Sequence, residues 1–182
     1  MTSVRRVLLL SGSLRDGSTN SAVLRTTLCI APESLAATLY EGMAELPAFD
    51  PDQDGELLPA AVADLRAQIR ASDALLFSTP EYAGGLPGSF KNLLDWTVGD
   101  DRPGSIYKKP VAWLNVSARG APHAHESLRR VLGYVGAEIL ELACIAVPGT
   151  SAMVSEDGLV TDPTVLQRVS QALQILAGAR PA

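Results

Sequence analysis

Short runs of consecutive apolar residues alternate along this chain with longer segments in which apolar residues recur every three or four positions. The runs, among them residues 7–10 and 74–77, are typical of strands buried on both faces of a parallel sheet. The longer segments, such as residues 58–69, place their apolar side chains on one face of a helix. This alternation predicts an α/β fold with helices on both faces of a parallel sheet.

Five strands and five helices follow from the pattern, with a surface loop rich in proline and aspartate at residues 45–55. Right-handed crossover connections leave few arrangements of five parallel strands, and among these we expect the order 2-1-3-4-5 of a flavodoxin-like three-layer sandwich. No repeat or linker divides residues 1–182, which are expected to form one domain. The predicted strands are residues 7–10, 35–40, 73–79, 110–116 and 139–147, and the predicted helices are residues 18–30, 58–69, 90–98, 128–135 and 165–176.

This strand order opens a crevice at the carboxyl ends of strands 1 and 3, where open α/β sheets bind ligands. Residues 11–20 border it and join a buried strand to a helix N-terminus, whose N–H groups and positive dipole end attract anions. Arg15 can pair with phosphate oxygens, and the amide of Asn20 can donate as well. The hydroxyl groups of this segment belong to Ser11, Ser13, Ser18 and Thr19.

Two other phosphate motifs do not match this first loop. Gly12 and Gly17 have the glycine spacing of a P-loop, but Ser18 stands where a nucleotide triphosphatase needs lysine. Leu14 stands where the dinucleotide fingerprint needs its second glycine. A single phosphate, as in a mononucleotide, suits the loop better. The alternative, a polar turn that only caps the helix through Ser18, leaves Arg15 unexplained.

Residues 80–88 form the second loop of the crevice. Its prolines stiffen the backbone, and its glycines let the backbone approach a flat ligand closely. Tyr82 supplies an aromatic ring for packing against a heterocycle, although a plain surface loop with Pro87 at the start of a helix is the alternative. A flavin ring fits such a loop, because protein N–H groups tune its electronic properties.

The chain resembles the NAD(P)H-dependent FMN reductases, which include flavodoxin-like quinone, chromate and azo-dye reductases. The resemblance rests on Gly-Ser-Leu-Arg at 12–15 with Ser18 and Asn20, and on Pro-Glu-Tyr at 80–82 continuing to Asp-Trp at 95–96. It implies ping-pong hydride transfer from NADPH or NADH through bound FMN to a quinone, flavin or similar small acceptor. No protein acid, base or nucleophile is expected in this chemistry, which belongs to the cofactor. The resemblance also implies a homodimer or homotetramer.

The resemblance further implies three FMN-binding segments, the third of them after strand 4. The family usually has asparagine after Pro-Glu-Tyr, whereas Ala83 stands here, and residues 117–122 are less glycine-rich than is usual. A flavodoxin-type electron carrier or FMN-dependent sensor is the alternative function. The implied residues are Ser11, Ser13, Leu14, Arg15, Ser18 and Asn20 in the first loop, Pro80, Glu81, Tyr82, Ala83 and Gly84 in the second, and Ser117 and Gly120 in the third.

Charge, hydropathy and the isolated cysteines and histidines exclude several other functions and indicate no second functional site. The net charge of −5, without a lysine or arginine cluster, argues against nucleic-acid binding. No apolar stretch reaches the roughly 20 residues of a membrane span, and no signal peptide is apparent, so a cytoplasmic location is expected. Cys29 and Cys144 are interpreted as small buried residues, and His123 and His125 as a solvated pair near a helix start, without a third metal ligand. Lys91 and Asp95 have the spacing of a local helix pair.

Overall fold

A computed structural model describes residues 4–149 and 151–179 of the chain. Its centre is a parallel sheet in the predicted order 2-1-3-4-5, with a sixth short strand beside the fourth, and helices lie on both faces. The strands are β1 Arg5–Ser11, β2 Leu35–Tyr40, β3 Ala74–Ser78, β4 Pro110–Ser117, β5 Glu138–Ile139 and β6 Ile145–Gly149. The helices are α1 Thr19–Ile30, α2 Ala60–Ala71, α3 Gly88–Val98, α4 Pro122–Tyr134 and α5 Pro163–Gly178.

The apolar run of β1 is explained by the two layers of helices that cover it. Leu8 and Leu10 belong to the core shared with α2, α3 and α4. Val7 and Leu9 point to the opposite face and belong to the core shared with α1 and α5. Because helices shield both faces of the strand from water, the positions in its middle must be apolar. β1 is therefore an internal strand of the sheet, with β2 and β3 paired to it in parallel on its two sides.

The predicted fifth strand at residues 139–147 is wrong as a single element. It divides into β5 and β6, with the 3₁₀ turn Glu141–Ala143 between them, and both pieces pair with β4. The carboxylate of Glu141 forms an ion pair with Arg129 on the exposed side of α4. A charged carboxylate is costly to bury, so Glu141 leaves the sheet at this point and the strand is interrupted.

Residues 45–55 are confirmed as a loop, which contains the 3₁₀ turn Pro51–Gln53, but one side of it packs against α3. Phe49 packs edge-on against the ring of Trp96, at 4.9 Å between ring centroids. Asn92 Nδ2 and Trp96 Nε1 both donate to the carbonyl oxygen of Pro47, at 2.9 and 2.8 Å. Two residues of the second sequence motif therefore anchor this loop.

Among residues 4–149 and 151–179, no helix is long and apolar enough to cross a bilayer. The interpretation of Cys29 as a buried residue is wrong, because its side chain is exposed on α1. Cys144 is partly buried between the two cores. Burial raises the pKa of the Cys144 thiol to about 12, so this group is a neutral packing residue at physiological pH.

Candidate functional site

The loops that follow β1, β3 and β4 meet at one edge of the sheet and border a cleft of about 320 Å³. All three predicted loops contribute to its walls, as the strand order requires. A second cleft, of about 200 Å³, lies between the first loop and the end of β2. The first cleft is lined by Thr19, Asn20, Pro80, Glu81, Val116, Ser117, Ala118, Arg119 and Ala121, and the second includes Ser11, Ser13, Leu14 and Arg15.

The backbone of the first loop approaches that of the second loop closely where Gly12 lies against Thr79. The backbone N–H of Gly12 donates to the carbonyl oxygen of Ser78 at 2.8 Å. A Cβ atom on Gly12 would lie 2.3 Å from Thr79 Oγ1 and 3.0 Å from Thr79 Cα. Only glycine permits this contact, so Gly12 sets the spacing of the two loops.

The first loop is ordered by its own hydroxyl groups. Ser11 Oγ lies 2.9 Å from Ser21 Oγ and accepts from the backbone N–H of Ser13 at 3.2 Å. Ser13 Oγ accepts from the backbone N–H of Arg15, also at 3.2 Å. A hydroxyl that accepts a hydrogen bond keeps its proton for another acceptor, so Ser13 can still donate to an anion. The side chains of Leu14 and Arg15 are exposed on this loop.

The start of α1 leaves its first N–H groups available. Ser18 occupies the N-cap position, but its side chain makes no capping hydrogen bond, so the interpretation of this loop as a mere serine cap is wrong. The first N–H groups of a helix have no partner within the helix. Those of Thr19, Asn20 and Ser21 accordingly form a set of donors beside Ser18, which is 2% exposed.

The orientation of Asn20 is determined by Ser78, a residue that sequence reasoning missed. Ser78 is fully buried at the end of β3, and its Oγ lies 2.9 Å from Asn20 Oδ1 and 2.8 Å from the carbonyl oxygen of Leu114. The Ser78 hydroxyl has one proton for these two acceptors, and when it donates to Asn20 Oδ1, the Nδ2 group of Asn20 is left to act as a donor. The signal for Ser78 was a serine at the end of an apolar strand, directly before the second loop.

The second loop contains a tight turn at the position where the resemblance leads us to expect asparagine. The backbone groups of Tyr82 and Gly85 bond to each other in both directions at 3.0 Å. Between them, Ala83 has φ of +49° and Gly84 has φ of +73°, the two positive values of a type I′ turn. Asparagine and glycine tolerate this conformation, whereas alanine is strained in it. Tyr82 is 49% exposed at the edge of the turn.

We expect Ala83→Asn to raise the free energy of unfolding by about 0.5 kcal/mol, and Ala83→Gly by up to about 1 kcal/mol, because both relieve left-handed strain. Urea denaturation of the three proteins measures the difference. Ala63→Asn is the control, since Ala63 is exposed within α2, where asparagine is less favourable than alanine. If Ala83→Asn is destabilising to the same extent as the control, the turn does not carry this strain.

The third loop is braced by Asn115, a second residue that sequence reasoning missed. Asn115 Nδ2 donates to the carbonyl oxygen of Gly120 at 2.6 Å, and its Oδ1 accepts from the backbone N–H of Ser117 at 3.1 Å. The N–H of Gly120 closes the turn on the carbonyl oxygen of Ser117 at 3.0 Å. The available signal was a lone polar residue in the apolar run 110–116.

Glu81 points toward α4. Its Oε2 accepts from the backbone N–H groups of His123 and Ala124, at 2.9 and 3.0 Å. The carboxylate therefore binds the first turn of α4, which begins at Pro122, close to the helix start expected near His123. Glu81 still lines the cleft beside Pro80, but its negative charge also interacts with the positive N-terminal end of the α4 dipole.

His123 is exposed as predicted, but the interpretation of His125 as a solvated residue is wrong. His125 is buried, and its Nδ1 donates to the carbonyl oxygen of Ala121 at 2.9 Å. Burial lowers the pKa of the imidazole, so the ring is neutral at physiological pH. Within the described parts of the chain, no three His, Cys, Asp or Glu side chains group in a way that could hold a metal ion.

Comparisons with known proteins identify the family of this chain. The family model of the NADPH-dependent FMN reductases matches residues 5–152. An NAD(P)H-dependent FMN reductase of Pseudomonas aeruginosa is 34% identical over 174 residues, which are 94% of this chain and 92% of the relative. A quinone reductase of Pseudomonas putida is 32% identical over 166 residues, covering 90% of this chain and 89% of the relative.

A solved structure extends the likeness to three dimensions. The flavoenzyme FerB from Paracoccus denitrificans, an NAD(P)H:(acceptor) oxidoreductase, superposes with a TM-score of 0.82 and 28% identity over 96% of both chains. Similarity in sequence and in three-dimensional structure thus leads to the same group of oxidoreductases. This chain belongs to the NADPH-dependent FMN reductase family.

Proposed function

We propose that this chain binds FMN and passes a hydride from NADPH or NADH through it to a quinone or a similar small acceptor, in ping-pong order. The observation that carries the proposal is the cleft in which the loops after β1, β3 and β4 meet. FMN would supply the hydride-accepting and hydride-donating chemistry, and the chain's own residues bind and orient it. The names of the relatives support NAD(P)H as donor and quinones as acceptors.

The donors of the first loop fit a phosphate monoester. The open N–H groups at the start of α1 provide the fixed positive end of a helix dipole. The Ser13 hydroxyl and the Asn20 amide add neutral donors, and Arg15 adds a charge on an exposed side chain. We assign to Ser11 and Ser18 the support of this phosphate site, because Ser11 orders the loop and Ser18 is buried beneath it.

The second and third loops fit the edge and face of a flat ring. Pro80 lines one side of the cleft and Ser117 lines the other. We assign Ala83 and Gly84, in the turn beside Pro80, and Gly120, in the turn beside Ser117, to the same ring. Leu14 and Tyr82 are 54% and 49% exposed, although both are large and apolar. We propose that these two side chains form the apolar rim against which a planar acceptor packs, which accords with a quinone.

Arg15→Ala is expected to weaken FMN binding by about 1.5–3 kcal/mol, because a charge-assisted hydrogen bond to phosphate is lost. Titration of the apoprotein with FMN, followed by flavin fluorescence, measures the dissociation constant. Arg168→Ala is the control, since Arg168 is an exposed arginine on α5. Equal FMN affinity in Arg15→Ala and the wild type would remove Arg15 from the site.

The visible spectrum of the purified protein tests the function as a whole. Flavin bands that accompany the protein and bleach with anaerobic NADPH or NADH, then return on addition of a quinone, are the expected result. Bands that resist both nucleotides would favour the electron carrier or sensor instead. A protein that binds no flavin at all would contradict the proposal.

We also propose that the chain forms a homodimer or homotetramer. A groove of about 410 Å³ between α3 and α4 supports this, because its apolar members include Phe49, Val98, Val131 and Tyr134. The pair Lys91 and Asp95 borders the same groove and is confirmed as an ion pair. Sedimentation equilibrium that gives only a 19.2 kDa species would contradict self-association.

A single domain over residues 1–182 and a cytoplasmic location complete the proposal. The exposed, unpaired thiol of Cys29 is compatible with a reducing compartment. Fractionation of cells of the source organism would test the location, and limited proteolysis would test the single domain.

A further inference from the structure

Helix α4 begins without a capping side chain of its own. Its N-cap residue is Ala121, held in the left-handed region at φ +41°, and its first residue is Pro122, which has no N–H group. The first amides that need an acceptor are therefore those of His123 and Ala124. Glu81 supplies one carboxylate oxygen to both of them, from 42 and 43 residues earlier in the chain.

This contact joins two loops of the cleft. Glu81 stands between the end of β3 and the turn that begins at Tyr82, whereas His123 and Ala124 follow directly on the third loop. The other braces of the third loop, from Asn115 and His125, come from the strand and helix that the loop itself connects. Among the hydrogen bonds of the described residues, those of Glu81 alone connect the second loop to the start of α4, where the third loop ends.

We propose that Glu81 is a positioning residue that holds the second and third loops as one unit and thereby sets the shape of the cleft. The inference rests on the proposed function in so far as the cleft is the FMN site. Glu81 itself does not need to touch the cofactor. Its carboxylate acts through the backbone of α4, where it also offsets the positive dipole end that faces the cleft.

Asp162 provides a matched control within the same chain. Its Oδ1 accepts from the backbone N–H groups of Thr164 and Val165 at 2.9 and 3.0 Å, so it caps α5 with nearly the same geometry. Asp162 belongs to the segment that leads into α5, and it joins no second loop. Loss of either carboxylate removes one helix cap, but only loss of Glu81 frees the two loops from each other.

The experiment compares Glu81→Ala, Glu81→Gln and Asp162→Ala in two measurements. Amide hydrogen exchange on the apoproteins is followed at Tyr82, Gly85, His123 and Ala124. FMN affinity is measured by fluorescence titration. In Glu81→Ala we expect exchange to accelerate at all four amides and the FMN dissociation constant to rise about five- to tenfold, the scale of a lost cap. Glu81→Gln should recover most of the affinity, because its amide oxygen still accepts.

Asp162→Ala should lower thermal stability without changing either measurement at the cleft. The proposal is overturned if Glu81→Ala accelerates exchange only at His123 and Ala124, or if it binds FMN as tightly as Asp162→Ala does. Should Glu81→Ala not fold, Glu81→Asp makes the same comparison, because its side chain is one methylene shorter. A wild-type protein that binds no FMN would refute the proposed function, while exchange at Tyr82 and Gly85 would still decide whether the loops are coupled.

Discussion

Replacing Asp54 by alanine is expected to lower the free energy of unfolding by about 3–5 kcal/mol, the cost of leaving a buried charge unpaired. Asp54 Oδ1 lies 2.8 Å from Arg66 Nη2, and their side chains are only 13% and 4% exposed. Arg66 Nε also donates to the carbonyl oxygen of Trp96 at 2.8 Å, so the guanidinium cannot turn to solvent without breaking a second contact. Urea or guanidinium denaturation measures the change.

Glu126→Ala is the control for this prediction. Glu126 forms an ion pair with Arg130 on the surface of α4, where both side chains are largely exposed, and such pairs contribute about 0–1 kcal/mol. The double variant Asp54→Ala/Arg66→Met should regain much of the lost stability, because the uncompensated charge is removed with its partner. Equal losses of unfolding free energy in Asp54→Ala and Glu126→Ala would show that the Asp54–Arg66 pair stabilises the fold no more than a surface pair does.

Gly12→Ala is expected to lower stability by about 1–3 kcal/mol through overpacking and to weaken FMN binding at least about tenfold. The added methyl group would overlap Thr79 Oγ1 and press on Thr79 Cα, so the first and second loops must move apart. These are the loops to which we assign the phosphate and the ring of FMN. Thermal denaturation and FMN titration measure the two effects.

Gly88→Ala separates this effect from the general consequences of removing a glycine. Gly88 begins α3 close to the same cleft, but a Cβ atom there meets no neighbour within 4 Å. We expect Gly88→Ala to be neutral or slightly stabilising and to bind FMN normally. Thr79→Gly in the Gly12→Ala background should restore part of the affinity. If it restores none, the contact between the two residues is not the cause of the loss.

Much of the fold could be predicted because apolar periodicity reports directly on burial. β1 and β3 are flanked by helices on both sides, so their unbroken apolar runs were unambiguous. Right-handed crossovers leave few strand orders, of which 2-1-3-4-5 was the expected one, and this order places the candidate loops at one edge of the sheet. The division of the fifth strand could not be predicted in the same way, because it depends on Glu141 finding Arg129 on another element.

In the site, too, the positions of residues could be predicted from the sequence, but their contact partners could not. The positions of Pro80, Ser117 and Asn20 around one cleft followed from the topology. The roles of Glu81 and His125 did not, because each is determined by a contact with the start of α4 that no local pattern records. Cys29 was placed wrongly because its neighbours in sequence are apolar, whereas the helix turns its side chain outward.

The interruption between β5 and β6 also bears on how copies of this protein avoid aggregation. A strand of nine residues at the sheet margin would offer a long row of free backbone groups to the edge of another chain. Here the margin beside β4 consists of a two-residue strand and a five-residue strand that contains Pro148, which has no N–H group to offer. Intermolecular sheet extension is disfavoured at this margin both during folding and at high concentration, whereas the opposite margin, β2, keeps an unbroken run of six residues.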